Sequence, residues 1–532
     1  MPRNVAIRIM ISGIKVAALL CAVAGSVVAQ DSTRTQEEVA GRVLPVLEKR
    51  PPIQKPKVIS ESGLSLRTRP NILFCISDDQ SWSHVGAMGD PVVKTPAFDR
   101  VAREGILFTH AFCDAPSCGP SRSAILTGQH IWRLEEAANI HSRLPVKFST
   151  YTGLLKEKGY AIGSYSKAWS PGQFKTPEGW KHVRETKLNP AGSRFHSFDE
   201  FYRSKRPGQP FCFWLGSTDA HRPYKKGSGV ESGMDPDKVV VPPHLPDDPI
   251  VRNDILDYYL EVQRWDRLVG DALAVLEKAG ELDNTLVVVT SDNGMPFPRA
   301  KASLYDYGTR MPLAIRWPAG IQSPGRTCDA FVHLSDMAPT FLEAAGLTPP
   351  KEMTARSLKD VFADNESPSR DGAYTAMERH DGCRKGGKGY PCRAFRTKDF
   401  LYIRNYEPNR WPSGDPDAAN CARAIPFGEV DPAPSKTLLM NKRNAYEEYY
   451  QLAFGMRPAE ELYDLRTDPG QLTNVADVPK YETIRRDMSN RLQQYTARTG
   501  DPHALGQEAI WDYLPYYGTR KNKNWAVDKK PE

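Results

Sequence analysis

Two short apolar runs limit the kind of fold this chain can adopt, because each stops abruptly at a pair of oxygen donors. "NILFCISDD" ends in Asp78 and Asp79, and "NTLVVVTSDNG" runs into Asp292 and Asn293. Both are strand-length and rich in β-branched or aromatic residues, so they read as buried strands. Helical patterns lie between such runs. "PAFDRVAREG" places Phe98, Val101 and Ala102 on one face, with Gly105 as its stop. Residues 253–280 repeat Tyr258, Val262, Trp265, Val269, Leu273 and Leu276 at steps of three and four, and Gly280 closes the helix. "GILFTHAF" and "MPLAIRWP" read as further strands, and "SDMAPTFLEAAG" as a further helix. Strands alternating with helices predict an α/β fold with a largely parallel sheet.

With 532 residues, 40% of them apolar, the chain is long enough for two packed domains. Residues 69–370 carry the α/β pattern. Beyond about residue 370, Pro, Gly, Arg and Asn dominate and the strands are short ("FLYIRNY", "EELYDL"), followed by an amphipathic helix near 481–499. This predicts a smaller α+β domain over 371–505, then a basic tail over 506–532. Residues 30–68 are polar and Pro/Lys-rich and read as a linker.

The first 29 residues carry Arg3, Arg8 and Lys15, then "VAALLCAVAGSVVA" and small residues before a cut after Ala29. That is the pattern of a secretory signal, and it implies an exported protein, periplasmic or secreted, with no stable membrane insertion. Leu20 stands where a lipoprotein signal would want a small residue before Cys21. Of the formal net charge of +7, the first 29 and last 13 residues contribute +3 each. The interior is nearly neutral, which argues against a nucleic-acid partner. Export implies an oxidising compartment. Eight cysteines remain after the signal is removed, and Cys383 and Cys392, which bracket "CRKGGKGYPC", are the candidate bridge.

In open α/β sheets, ligands bind beyond the carboxyl ends of the strands. Asp78, Asp79, Asp292 and Asn293 are four hard oxygen ligands without a nearby His or Cys, a set that suits Ca²⁺, or Mg²⁺, rather than Zn²⁺. The plainer alternative is that each pair caps a turn. Three further groups follow strands: Asp219, His221 and Arg222 in "STDAHRPY", Lys167 in "AIGSYSK", and Lys301 in "PFPRAKASLYDYGT". Cations gathered at a metal site suggest an anionic substrate with a tetrahedral head group.

The stretch "CDAPSCGPSRSAILTG" places Cys118 in a small-residue turn, with Arg122 four residues on and an apolar helix behind. "CGPSRSAILTG" resembles the signature of the type I sulfatases. "DD", "SDNG", "DAHRP" and "ELYDLRTDPGQLTNVA" match in the family's order over roughly residues 69–500. Within the family, "TSDNGMPFP…LYDYGT" and "STDAHRPY" are most similar to heparan N-sulfatase (sulfamidase)-like members.

The resemblance implies an alkaline-phosphatase-like fold, with a large mixed, mostly parallel sheet flanked by helices and a smaller C-terminal α+β domain. It implies that a formylglycine-generating enzyme oxidises Cys118 to formylglycine, whose hydrate attacks sulfur. Its second hydroxyl then expels sulfate. Asp78, Asp79, Asp292, Asn293 and the modified Cys118 are the implied metal ligands. Arg122 is implied to steady the hydrated aldehyde, Lys167 and Lys301 to bind sulfate, and His221 to protonate the leaving atom. Asp219 and Arg222 flank His221 as candidate substrate readers. Glu378 and His380, in "ERHDGC", are candidate substrate contacts.

One departure stands out. The family follows the lysine equivalent to Lys167 with a histidine that serves elimination, whereas "SKAWSPG" offers Trp169 and Ser170. The expected substrate is a terminal sulfated sugar with further anionic groups, as in a glycosaminoglycan or algal glycan fragment. The sulfamidase-like segments favour an N-sulfate, and the altered residues leave an O-sulfate open. Two alternatives remain: a formylglycine-dependent phosphonate or phosphate ester hydrolase, and an inactive sulfated-glycan-binding protein.

Overall fold

The computed structural model describes residues 69–363 and 369–530. The signal and linker expected over 1–68 lie outside the described residues. Eight strands form the main sheet: β1 (Asn71–Ser77), β2 (Ile106–Phe112), β3 (Ala161–Tyr165), β4 (Ser193–Phe195), β5 (Phe211–Gly216), β6 (Thr285–Ser291), β7 (Arg310–Arg316) and β8 (Arg326–His333). Their order is β8-β2-β7-β6-β1-β5-β3-β4. Only β7 among these eight runs against its neighbours, β2 and β6, so the sheet is mixed but mostly parallel.

The unbroken apolar character of β1 and β6 has a direct cause. Ile72, Phe74 and Ile76 join one core cluster, with Leu286 and Val288, while Leu73 and Cys75 join another, with Val287 and Val289. Helices cover both faces, so neither face tolerates polar residues. On one side pack α1 (Pro96–Glu104) and α3 (Pro249–Lys278), and on the other α2 (Cys118–Thr127) and α4 (Met337–Ala344). The long helix starts earlier than its apolar repeat suggests. Asp248 accepts a hydrogen bond from the Ile250 amide and Pro249 occupies the first turn, so the helix is capped ahead of its buried stripe.

Phe74 is fully buried, with its ring 4.7 Å from Trp214 and 5.7 Å from Phe341. Phe74→Ala is expected to cost about 3–5 kcal/mol, because the emptied ring volume cannot be refilled by strands fixed on both sides. A denaturant midpoint indistinguishable from wild type would contradict this packing.

The second layer is an antiparallel sheet of β9 (Gly372–Met377), β10 (Cys392–Thr397), β11 (Phe400–Asn405) and β12 (Glu460–Asp464), in that order. Helix α5 (Glu482–Arg498) packs on it through Met488 and Leu492. The chain after residue 506 lies on the fold, burying Trp511, Tyr516 and Trp525.

The expected Cys383–Cys392 bridge is not formed. Cys392 opens β10 and sits in a core cluster with Met377 and Tyr390, while the Cys383 sulfur lies 2.9 Å from that of Cys421. The turns between Cys383 and Cys392 carry the two residues into different packing environments. All eight cysteines of the described residues are buried thiols.

Candidate active site

Strand order alone assembles the centre. β1 and β6 are neighbours in a register that pairs Ser77 with Ser291, so Asp78-Asp79 and Asp292-Asn293 leave the sheet side by side. β5, on the other flank of β1, delivers Asp219 and His221, and β3 beyond it delivers Lys167. Gly294 is required where the chain turns away from β6: a Cβ there would lie 1.8 Å from the Tyr307 carbonyl oxygen. Asp79 takes up a left-handed backbone conformation, φ 64°, which Asp tolerates better than most residues.

Cys118 is the first residue of α2, and the helix carries it under the strand ends. Its sulfur lies 3.4 Å from Asp78 Oδ1, 3.6 Å from Asp79 Oδ1 and 3.5 Å from Asn293 Nδ2. Ligand atoms of Asp78, Asp79, Cys118 and Asp292 all fall within 4.8 Å of one another. Burial pushes the Cys118 thiol well up, against the pull of Lys167 and Lys301.

Arg122 fastens the site together. Its Nε donates to Asp292 Oδ2 at 2.7 Å, and its Nη1 donates to the carbonyls of Lys167 and Ala168, each at 2.7 Å. Nη2 reaches the Ser77 carbonyl at 3.3 Å. One buried guanidinium thus ties the ends of β1, β3 and β6 to α2. Its fork geometry suits this task, which a lysine could not perform.

Lys167 Nζ lies 2.6 and 2.5 Å from the two Asp78 oxygens, and Lys301 Nζ lies 2.7 Å from Asp79 Oδ2. Burial alone would raise the Asp78 carboxyl. Lys167, His221 and Arg122 outweigh it, and Asp78 titrates below its usual range. Both lysines are raised, their carboxylate partners overcoming burial.

His221 stands at the rim with its side chain 34% exposed and Nε2 3.7 Å from Asp79. Nδ1 is 2.6 Å from the Arg222 carbonyl oxygen, which can only accept. Nδ1 therefore carries a proton, and Nε2 is the nitrogen free to exchange one.

A cavity of about 680 Å³ opens over Cys118, Lys167, His221 and Lys301, within the ~300–1,000 Å³ range of small-ligand sites. Asp219 and His380 line it. Burial, reinforced by Glu261, raises the Asp219 carboxyl. His380 Nδ1 is 2.8 Å from Ser117 Oγ, and burial lowers its imidazole to about 3.

Two expectations need adjusting. Glu378 is not a substrate contact: it is 2% exposed and lies 2.6 Å from Arg393 Nη2, outside the cavity lining. A buried arginine on β10 needs that carboxylate more than the cavity does. Arg222 lines the cavity but commits its fork to Asp254 at 2.8 and 2.9 Å and its Nε to the Pro296 carbonyl. The Trp169 indole, where the family places a histidine, is buried and donates to Ser123 Oγ at 2.8 Å.

The second sheet and its loops add residues that carried no local signal. Asp431 Oδ2 is 3.4 Å from Lys301 Nζ, and Arg423 joins Asp431 to Asp381 at 3.3 and 2.8 Å. Asp381 in turn accepts a hydrogen bond from Tyr516 Oη. An isolated aspartate in a coil-like stretch such as "FGEVDP" cannot be distinguished from a turn residue by sequence alone.

The sulfatase family profile matches residues 70–347. That of the N-sulphoglucosamine sulphohydrolase C-terminal region matches residues 299–415. An ulvan-active sulfatase of Formosa agariphila is 26% identical over 495 residues, covering 85% of this chain and 78% of that one. The N-sulphoglucosamine sulphohydrolase of Homo sapiens is 27% identical over 490 residues, covering 84% and 93%. A protein solved in complex with its substrate, D-glucosamine-2-N,6-O-disulfate, aligns with a TM-score of 0.60 at 19% identity, over 83% of this chain and all of that one. The eight-stranded sheet and separate antiparallel layer are thus the alkaline-phosphatase-like arrangement of such enzymes. With the family profile spanning more than half of its length, this chain belongs to the sulfatase family, in a branch similar to the sulfamidases.

Proposed function

We propose that this protein hydrolyses the sulfate ester or sulfamate of a sulfated saccharide, with residue 118 acting as formylglycine. One observation carries the reading: a cysteine, three carboxylates, an asparagine and two lysines meet at one buried point that opens to a sugar-sized cavity. The donors suit a hard cation. Asn293 Oδ1 is buried without any hydrogen-bond partner, while its Nδ2 faces Cys118 and Asp292; a half-turn of the amide would present that oxygen beside the three carboxylates. Asp78, Asp79, Asp292 and Asn293, with residue 118, would hold Ca²⁺. Bound there, Ca²⁺ supplies Lewis acidity to the reacting sulfate. Formylglycine supplies a hydrate with two hydroxyls, one to attack sulfur and one to expel sulfate.

The remaining residues orient and balance charge. Lys167 and Lys301 hold the sulfate where negative charge develops. Arg122 keeps residue 118 and the strand ends in fixed relation. His221 gives its Nε2 proton to the leaving oxygen or nitrogen. His221→Gln is therefore expected to lower kcat on a saccharide by about 10²–10⁴-fold, the usual share of general acid catalysis. Its effect on an activated aryl sulfate, whose leaving group needs no proton, should be much smaller. Equal losses on both would remove His221 from that role.

Formylglycine at position 118 requires a maturing enzyme in the producing cell. Mass spectrometry of the peptide containing residue 118 is expected to show a loss of about 18 Da relative to cysteine, from exchange of thiol for aldehyde. Fully active protein with unmodified Cys118 would contradict the reading. Residues 1–29 direct export to the periplasm or medium. The sugar is tested by offering N-sulfo-glucosamine beside O-sulfated hexosamines, uronates and galactose. Equal turnover of aryl sulfates and every saccharide would exclude a glycan-reading pocket.

A further inference from the structure

The cavity is lined by six side chains of lysine and arginine, and their partners divide them into two groups. Lys167 and Lys301 lie on Asp78 and Asp79, Arg222 on Asp254, and Arg423 on Asp381 and Asp431. Arg184 and Arg194 have no carboxylate partner among the described residues. Arg184 sits in the turn Val183–Glu185 and is exposed. Arg194, on β4, donates through Nη2 to the Val183 carbonyl at 3.0 Å, and its buried Nε has no partner. Two unpaired guanidinium groups on one wall of a cavity that already holds an anion-binding centre form a second positive site.

The chain's last segment borders that wall. Tyr516 and Thr519 line the cavity. The Tyr517 amide donates to the His141 carbonyl at 2.8 Å, and Arg143 lies between the rings of Trp180 and Tyr517, 4.7 Å from each. On the far side, the Lys521 amide donates to the Ala422 carbonyl at 2.8 Å, and Trp525 Nε1 to the Arg384 carbonyl at 3.1 Å. The segment is therefore a strap pinned to both layers, and it makes the cavity a cleft with a fixed outer edge.

We infer that Arg184 and Arg194, beside this strap, form a second anion subsite for a carboxylate or sulfate on the sugar next to the one being desulfated. The inference rests on the sulfatase reading and adds to it the need for an anionic neighbour. Arginine suits the task because its planar fork matches either oxyanion bidentately. The buried Nε of Arg194, which no protein group satisfies, would gain a partner from an anionic neighbour and none from a neutral one.

The test uses mature full-length enzyme and three sulfated disaccharides that differ only in the neighbouring sugar: a uronate, a second sulfate, or neither. Wild type is expected to favour an anionic neighbour at least tenfold in kcat/KM, with the difference carried by KM. The uronate and disulfated arms identify which anion is read. Arg184→Ala/Arg194→Ala is expected to bring anionic and neutral substrates to equal kcat/KM. Arg184→Glu, a single change at an exposed position, serves if the double variant fails to fold, and should reverse the preference. Equal use of all three substrates by wild type, or a preference that survives these variants, overturns the inference and leaves the sulfatase reading standing. Sulfate release from none of the three, nor from any sulfated monosaccharide, overturns the sulfatase reading itself.

Discussion

Asp292→Ala is expected to remove both bound metal and at least ~10³-fold of sulfate release, since the loss of one fixed electrostatic partner in a reacting centre already costs ~10²–10³. Asp292 is fully buried and serves three neighbours. Its carboxylate accepts from Arg122 Nε at 2.7 Å, from the Asp79 amide at 3.1 Å and from Asn293 Nδ2 at 2.8 Å. Removing it strands a buried guanidinium whose next carboxylate, Asp78, is 3.6 Å away. Breaking a buried pair from one side costs about 3–5 kcal/mol, so the alanine variant should also unfold more easily. Asp292→Asn separates the two effects. It keeps the shape and one acceptor oxygen, so its stability loss should be smaller, while its metal content, measured by elemental analysis, should still fall. Full metal occupancy and turnover in Asp292→Ala would place the metal elsewhere.

Cys118→Ser should produce the second large effect, a trapped enzyme. A serine hydroxyl at the start of α2 occupies the same point among Asp78, Asp79 and Asn293. It can attack sulfur and take the sulfate while the leaving group departs with a proton. It has no second hydroxyl on the same carbon, so the O–S ester cannot collapse to an aldehyde and sulfate. Intact-mass measurement after incubation with substrate should show about 80 Da added for one sulfate, with no steady turnover, as expected for a stalled covalent intermediate. Sustained turnover by the serine variant would mean that a single hydroxyl suffices and that formylglycine has no role here.

Much of the centre was legible in the sequence because its parts sit at strand ends, where chemistry and fold leave the same mark. The apolar runs before Asp78 and Asp292 had to be strands, and β1 and β6 prove to be neighbours in register. The long helix was legible from its buried stripe, though its start was set by Asp248 and Pro249 rather than by apolar spacing. What stayed hidden depends on contacts between segments far apart in sequence. Asp431 reaches Lys301 across 130 positions, and Tyr516 reaches Asp381 across 135. Glu378 looked available because it neighbours His380. Both residues lie just past the end of β9, where no strand alternation holds, and their partners separate them: Arg393 claims the glutamate, while His380 turns to Ser117 at the cavity. The Cys383–Cys392 pairing failed for a related reason: a short loop in sequence need not bring its ends together, and Cys421 approaches from 38 residues away. The basic tail showed only its charge, although its aromatic residues bury it against both layers.

Sulfate release from defined sulfated saccharides is the measurement that bears most directly on the central claim. It compares protein produced with a formylglycine-generating enzyme and the same protein carrying Cys118→Ala. The account predicts sulfate release by the matured protein from at least one saccharide, dependent on Ca²⁺, and none by the alanine variant. Equal release by the two proteins, or saccharide binding by the matured protein with no release at all, would contradict it.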